Sequence, residues 1–212
     1  MSRIRLSRAE SREQTRRRLI AAATTIIAKK GLAATSVENI AAKAGFTRGA
    51  FYSNFSSKAD LFVELLRVEH RLTQENLRNL VDTSESSESL QTQLVSLCEQ
   101  CYRDSSNYIL WAEAHLHAMR DTKFRQRLNA LTLEKRDVIT CFITQFCERI
   151  NIQLPMDPNV LALTMMTLID GVLYLNMSMP NDIRDEAIRA ALGMLFKSTF
   201  LDNDDTTINE TS

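Results

Sequence analysis

AGFTRGAFYSNFSSK, residues 44–58, packs two glycines, a threonine–arginine pair, four aromatic residues and a closing lysine into one short stretch. So short a segment cannot bury a core of its own, so its order serves something outside it. Gly45 ends one short helix, and Thr47 caps the next, which runs to about Asn54. Gly49 and Ala50 keep the entering end of that second helix slim. Phe51 and Phe55, four apart, face inward with Ile40 and Leu19, and Tyr52 lies off their stripe.

Outward from this stretch the pattern is helical throughout. A helix is expected from about Arg12 to Lys30, with Leu19, Ala22, Ala23, Ile26 and Ile27 inward and Gly31 as its stop. Residues 1–10 read as a flexible, arginine-rich segment. Thr35 or Ser36 caps the helix that carries Val37, Ile40, Ala41 and Ala44. Ser56 or Ser57 caps a fourth helix, with Leu61, Leu65, Val68 and Leu72 on one stripe. DTSESSES, 82–89, reads as a linker. Further helices are expected near 88–104, 107–119, 121–150, 159–178 and 182–200, with a break at 154–158 and Asn181 or Asp182 capping the last. The tail, 202–212, has nothing to bury and reads as disordered.

Five glycines and three prolines in 212 residues are too few for the turns of a β-protein, so the fold class is all-α. Net charge is zero, but residues 1–60 carry twelve Lys/Arg against four Asp/Glu, or +8, and the remainder carries −8. This division pairs a basic surface suited to a polyanion with a body that has another task. Two short helices joined by a glycine turn after a longer scaffold helix form a helix-turn-helix. The second helix of that arrangement enters the DNA major groove, and its amino-terminal residues meet base edges.

TSVENIAAKAGFTRGAFYSNFSSKADLF, 35–62, closely resembles the DNA-binding signature of the tetracycline-repressor (TetR/AcrR-like) regulators. The resemblance lies in the opening threonine, the Ile-Ala-x-x-Ala-Gly run, the glycine after Thr-Arg, then Tyr-x-x-Phe and x-x-Lys. Phe46 stands where a smaller aliphatic is usual, and Asn54 where histidine is frequent. The resemblance implies an amino-terminal three-helix DNA-binding domain (1–60), a carboxy-terminal ligand-binding and dimerisation domain (61–201), a homodimer, and double-stranded DNA carrying a palindromic operator. It makes Thr35, Thr47, Tyr52 and Lys58 DNA-backbone contacts and Arg48, Ala50, Ser53 and Asn54 base readers, with Ser36 and Gly49 completing the surface. Arg48 either bonds guanine bidentately or touches phosphate alone. Arg3, Arg5 and Arg8 form either a minor-groove arm or a solvated tail.

In the body, residues 160–175 hold twelve apolar side chains among sixteen, short for a bilayer-spanning helix of about 20 residues. A buried or interface helix is expected; at an interface, Leu168, Val172 and Leu175 meet a partner copy together with Ala187, Ala191, Met194 and Leu195 of the next helix, and the alternative is packing within one copy. Trp111, His115, Met119, Phe142, Phe146, Met166, Asp170 and Tyr174 are candidates for a pocket holding a small-molecule effector. Each of the large apolar ones serves equally well as ordinary core.

Other signals carry little. Cys98-Glu-Gln-Cys101 lacks the further ligands of a metal site, and His115 and His117 point to different helix faces. No nucleophile elbow, P-loop or dinucleotide fingerprint is present. The expectation is a non-enzymatic, cytoplasmic transcriptional regulator without metal or cofactor, a repressor released from its operator by a ligand. The alternative is a small-molecule-binding helical protein whose DNA binding is vestigial.

Overall fold

The computed structural model describes residues 7–83, 86–103, 105–149, 151, 153–154, 156–179 and 181–200; the side chains of 87, 91, 98–103, 105 and 195–200 are not among them. Arg3, Arg5, the Cys98 and Cys101 thiols, the Leu195 side chain and the tail 202–212 therefore lie outside the described residues. The described residues form nine helices and no strand: α1 (Arg8–Lys30), α2 (Val37–Ala44), α3 (Arg48–Tyr52), α4 (Lys58–Thr83), α5 (Ser87–Arg103), α6 (Ser105–Arg120), α7 (Thr122–Arg149), α8 (Pro158–Ser178) and α9 (Asp185–Phe200). They make two compact units, Met1–His70 with Ile109–Ala130, and Arg71–Tyr108 with Leu131–Ser212.

In the first unit, α1 begins four residues before the expected Arg12, which corrects the reading of residues 1–10 as flexible as far as 7–10 are concerned. Ser7 and Glu10 form a reciprocal capping box: Glu10 N–H donates to Ser7 Oγ, and Ser7 N–H donates to Glu10 Oε2 at 2.7 Å. The Ser7 backbone N–H, then the Ser7 hydroxyl, favour the ionised Glu10 carboxyl and hold its pKa below the ordinary value. Arg8 is thus the first helical residue. Leu19, Ala22, Ala23 and Ile27 of α1 are buried, with Ile40, Ala41 and Ala44 of α2, Phe51 of α3, and Leu61, Phe62 and Leu65 of α4. Segment 109–130 completes this core through Leu110, Ala114, Ala118, Phe124 and Leu128. The Phe62 and Phe124 rings stack at 5.8 Å, and Arg127 pairs with Asp60.

Two glycines set the geometry of the first three helices. Gly45, at φ 75° and ψ 31°, is left-handed, so that Phe46 N–H reaches the Ala41 carbonyl and Gly45 N–H the Ala42 carbonyl in a Schellman closure. Gly31, at φ 79° and ψ 163°, occupies a region almost exclusive to glycine. Just beyond it the Leu32 peptide groups are held by two charged side chains. Leu32 N–H donates to Glu113 Oε2 at 2.9 Å, and the Leu32 carbonyl accepts from Lys58 Nζ at 2.7 Å. Lys58 Nζ also donates to the Thr35 carbonyl at 2.6 Å.

The second unit is built around Leu77, Leu90, Leu94, Phe142, Ile143, Phe146, Leu161, Met165, Leu173, Ile188 and Leu192. Here α4 remains helical to Thr83 and α5 starts at Ser87, so the expected linker 82–89 contracts to a few residues. Asp157 caps α8 by accepting from Asn159 and Val160 N–H, with Pro158 in the first turn, where its missing donor costs nothing. The last helix starts at Asp185 rather than just after Asn181 or Asp182, because Asp182 and Ile183 N–H both turn back to the Met179 carbonyl. Cys147 is buried in this core, and desolvation pushes its thiol up to about 11, which makes it unreactive.

These constraints predict an order of stability. Gly31→Ala should cost about 1–3 kcal/mol, because the residue enters a glycine-only conformation and its Cβ would lie 3.0 Å from Glu113 Oε1. Gly45→Ala should cost about 1–2 kcal/mol, and Gly45→Asn less, since asparagine tolerates the left-handed region. Glu113→Ala should cost about 1–3 kcal/mol by leaving the Leu32 N–H without its charged acceptor. Urea midpoints measured on the four variants and the parent check this order; parental midpoints for Gly31→Ala and Glu113→Ala would contradict it.

Candidate nucleic-acid interface

Helix α3 is five residues long and is fixed at both ends and on one side. Thr47 caps its start, accepting from Ala50 N–H at 3.3 Å. Ser53 Oγ and Asn54 Nδ2 both donate to the Ala50 carbonyl, at 2.9 and 2.8 Å, and close its other end. Phe51 is fully buried and Phe55 nearly so, their rings 5.8 Å apart. The inward anchors expected from the sequence are in place. What remains outward is Thr47, Arg48, Gly49, Tyr52 and Ser53, all exposed, with Ala50 half-buried among them. A Cβ on Gly49 would meet only Thr47 Oγ1, at 3.7 Å, so backbone lies bare along that edge.

Arg48 is held in place. Its Nη1 is 3.2 Å from Glu38 Oε1 of α2, and its guanidinium sits 5.4 Å from the centre of the Tyr52 ring. The Tyr52 hydroxyl, then the Glu38 charge, favours its protonated form. Two further arginines brace the motif from α1. Arg16 lies over the Phe55 ring at 4.5 Å and donates to the Asn54 carbonyl at 2.8 Å. Arg18 lies over the Phe46 ring at 4.8 Å, so the bulkier aromatic at that position acquires a cation–π partner.

Of the remaining predicted DNA contacts, Thr35 and Lys58 are turned inward, and Ser36 is half-buried. Thr35 is 2 % exposed, and its hydroxyl donates to the Gly31 carbonyl at 2.7 Å. Ser36, not Thr35, caps α2, accepting from Asn39 N–H. Lys58 has two of its three N–H donors on the Leu32 and Thr35 carbonyls, and desolvation lowers its pKa from the ordinary lysine value. Sequence reasoning missed Glu38, Arg16, Arg18 and Glu113. Only Glu38 carried a signal, an acid opposite Arg48 across the glycine turn.

In the body, Leu168, Leu175, Ala187, Ala191 and Met194 are exposed, while Val172 is half-buried against the second unit's core. Among the pocket candidates, Trp111 and His115 are ring neighbours one turn apart on α6, with His115 exposed, and Met119 is 74 % exposed. Phe142, Phe146 and Met166 are packed into the interior. Asp170 is half-buried and Tyr174 exposed. Burial, then the charges of Asp170 and Tyr174, pushes the Tyr108 phenol up, so these three polar groups of the second unit sense one another. Among the described residues no His, Cys, Asp and Glu side chains gather into a metal-binding group.

Residues 19–65 match the family of bacterial regulatory proteins of the tetR type. The chain is 40% identical over 81 residues to a probable HTH-type transcriptional regulator, ArpR, of Pseudomonas putida, covering 38% of this chain and 37% of that protein. It is 43% identical over 61 residues to the HTH-type transcriptional regulator TtgR, also of Pseudomonas putida, covering 29% of each. These matches thus span about a third of the relatives' length. The fold as a whole is shared with the transcriptional regulator FadR of Bacillus subtilis, solved in complex with stearoyl-CoA, at a TM-score of 0.69 and 17% identity over 85% of this chain and 95% of that one. The segment that carries the glycine-hinged helix pair, residues 19–65, thus belongs to the tetR family of bacterial regulatory proteins.

Proposed function

We propose that this chain acts in the cytoplasm as a homodimer on a palindromic DNA operator, repressing until a small molecule bound to its body releases it. The observation that carries the reading is the amino end of α3: a bare glycine backbone, a capped helix start and Arg48 at the outward edge, anchored from behind by Phe51 and Phe55. A single five-residue helix spans few base pairs, so discrimination calls for a second copy one helical turn along the duplex, about 34–36 Å away.

The exposed apolar face of α8 supports docking of that second copy. One face of α8 enters the second unit's core through Leu161, Ala162, Met165 and Leu173, while Val160, Leu163, Leu168, Tyr174 and Leu175 remain exposed. Three hydroxyls on that outer face are already satisfied. Thr164, Thr167 and Ser178 hydroxyls donate to the carbonyls four residues back, so the helix can enter a dry interface with no unpaired donor among them. Gly171 sits among them with nothing within 4 Å of a Cβ placed there. An open glycine inside a helix costs about 1 kcal/mol against alanine, a cost that close approach of a partner helix would offset. By length and composition α8 could also cross a membrane, but its inner face belongs to a protein core. Asp170 and Tyr174, with Tyr108, are the polar groups best placed to orient a ligand in the second unit. The stearoyl-CoA bound by FadR supports a ligand-responsive body.

Selection of duplexes from a random pool by the purified chain tests the reading, and recovery of a palindrome is the expected result. Arg48→Ala should weaken the selected duplex roughly tenfold or more if Arg48 reads a base, and scrambled duplex much less; equal losses on both would mean that it touches phosphate alone. Leu168→Glu should shift the chain from dimer to monomer in sedimentation and lower operator affinity, with its helical circular dichroism unchanged. A monomeric parent chain that binds no duplex would refute the whole proposal.

A further inference from the structure

The basic side chains around α3 fall into two groups. Arg16, Arg18 and Lys58 point at rings and carbonyls of the unit itself, and the one carboxylate paired with Arg16, Glu64 at 3.9 Å, is half-buried, as is Arg16. Arg48 differs. It is the first residue of α3, it is exposed, and it is matched with an equally exposed acid, Glu38, near the start of α2. A carboxylate there is awkward for a DNA-binding surface, because a phosphate approaching Arg48 also approaches Glu38. It is also of little use to the fold: the two side chains are 64% and 57% exposed, and exposed ion pairs of this kind contribute almost nothing to stability.

We propose that Glu38 is a specificity-determining residue of the DNA-binding surface, acting by holding Arg48 against Tyr52 and by repelling phosphate from it. The inference rests on the DNA-binding reading above. A guanidinium has five N–H donors, so it can place two on guanine O6 and N7 and still give one to Glu38. Base edges carry partial charges, and the carboxylate tolerates them. A phosphate carries a full negative charge, and at about 5–7 Å from the carboxylate the repulsion, even at the dielectric of water, amounts to roughly a threefold loss of affinity per phosphate. The Tyr52 ring, 5.4 Å from the guanidinium carbon, narrows the remaining freedom. Together the acid and the ring disfavour the sequence-blind use of Arg48 and leave its base-reading use intact.

Glu38→Gln separates the two effects, since the amide keeps an acceptor and removes the charge. Wild type, Glu38→Gln and Glu38→Ala would be titrated with a duplex selected by the wild type and with a scrambled duplex of the same length and composition, at several salt concentrations. Expected for Glu38→Gln is scrambled-duplex affinity raised about three- to tenfold, operator affinity changed less, and a salt slope on scrambled DNA steeper by about one phosphate contact. Glu38→Ala, which also frees the Arg48 rotamer, should lower the operator-to-scrambled ratio further. Thermal midpoints of both variants should match the parent, which separates this role from a structural one. An unchanged ratio in both variants, or a gain of equal size on both duplexes, overturns the role of Glu38 and leaves the DNA-binding proposal standing. A wild type that binds both duplexes alike overturns both.

Discussion

A five-residue helix cannot hold itself together in water, because nucleating the first turn fixes several dihedrals for one hydrogen bond. Everything outward in α3 therefore depends on Phe51 behind it. The ring is fully buried, and burying a phenylalanine contributes about 1.5–3 kcal/mol. Phe55 extends the anchor past the end of the helix, under the Arg16 guanidinium. Thr47 at one end and Ser53 with Asn54 at the other then satisfy backbone groups that so short a helix leaves open. Backing comes first, and the reading edge is what the backing leaves exposed.

The same logic divides the cations of the amino-terminal segment. Its excess of +8 reads from sequence as one basic surface, yet the structure gives its members different tasks. Arg16 and Arg18 stack on aromatic rings, and Lys58 ties the start of α4 to the carbonyls of Leu32 and Thr35. Glu113 holds the opposite side of the Leu32 peptide, so a turn built on a glycine-only conformation is gripped by an acid and a base at once. A loop held this way presents α2 and α3 at a fixed angle.

Much of this architecture was legible in the sequence. Apolar periodicity and Gly31 and Gly45 located the nine helices of the described residues, because those signals act within a turn or two. The start of α1 was also written locally, in the Ser7–Glu10 pair, but the density of arginine around it masked the capping box. Other features were not legible at all. Glu113 lies 81 residues from the N–H it accepts, and nothing near it marks the inclusion of 109–130 in the first unit. Lys58 looks the same in sequence whether it faces phosphate or two carbonyls 23 and 26 residues away. The pocket candidates failed to sort for a related reason. Periodicity reports which residues are apolar, and does not say whether Phe146 meets another side chain or a ligand, or that Met119 faces water.

The separation of backing from reading has a consequence for how such a surface changes. Phe51 and the two positive-φ glycines fall under strong, non-local constraints, so substitution there perturbs the unit as a whole. The exposed Glu38–Arg48 pair contributes almost nothing to the fold, yet even a small energy applied at a base edge changes discrimination severalfold. Residues 38 and 48 are therefore free to vary at nearly constant stability, while 31, 45, 51 and 55 are not. On the DNA-binding reading proposed above, that asymmetry permits one helical framework to carry different operator preferences, and it follows from where each side chain's energy is exercised: inside against protein, or outside against the proposed nucleic-acid partner.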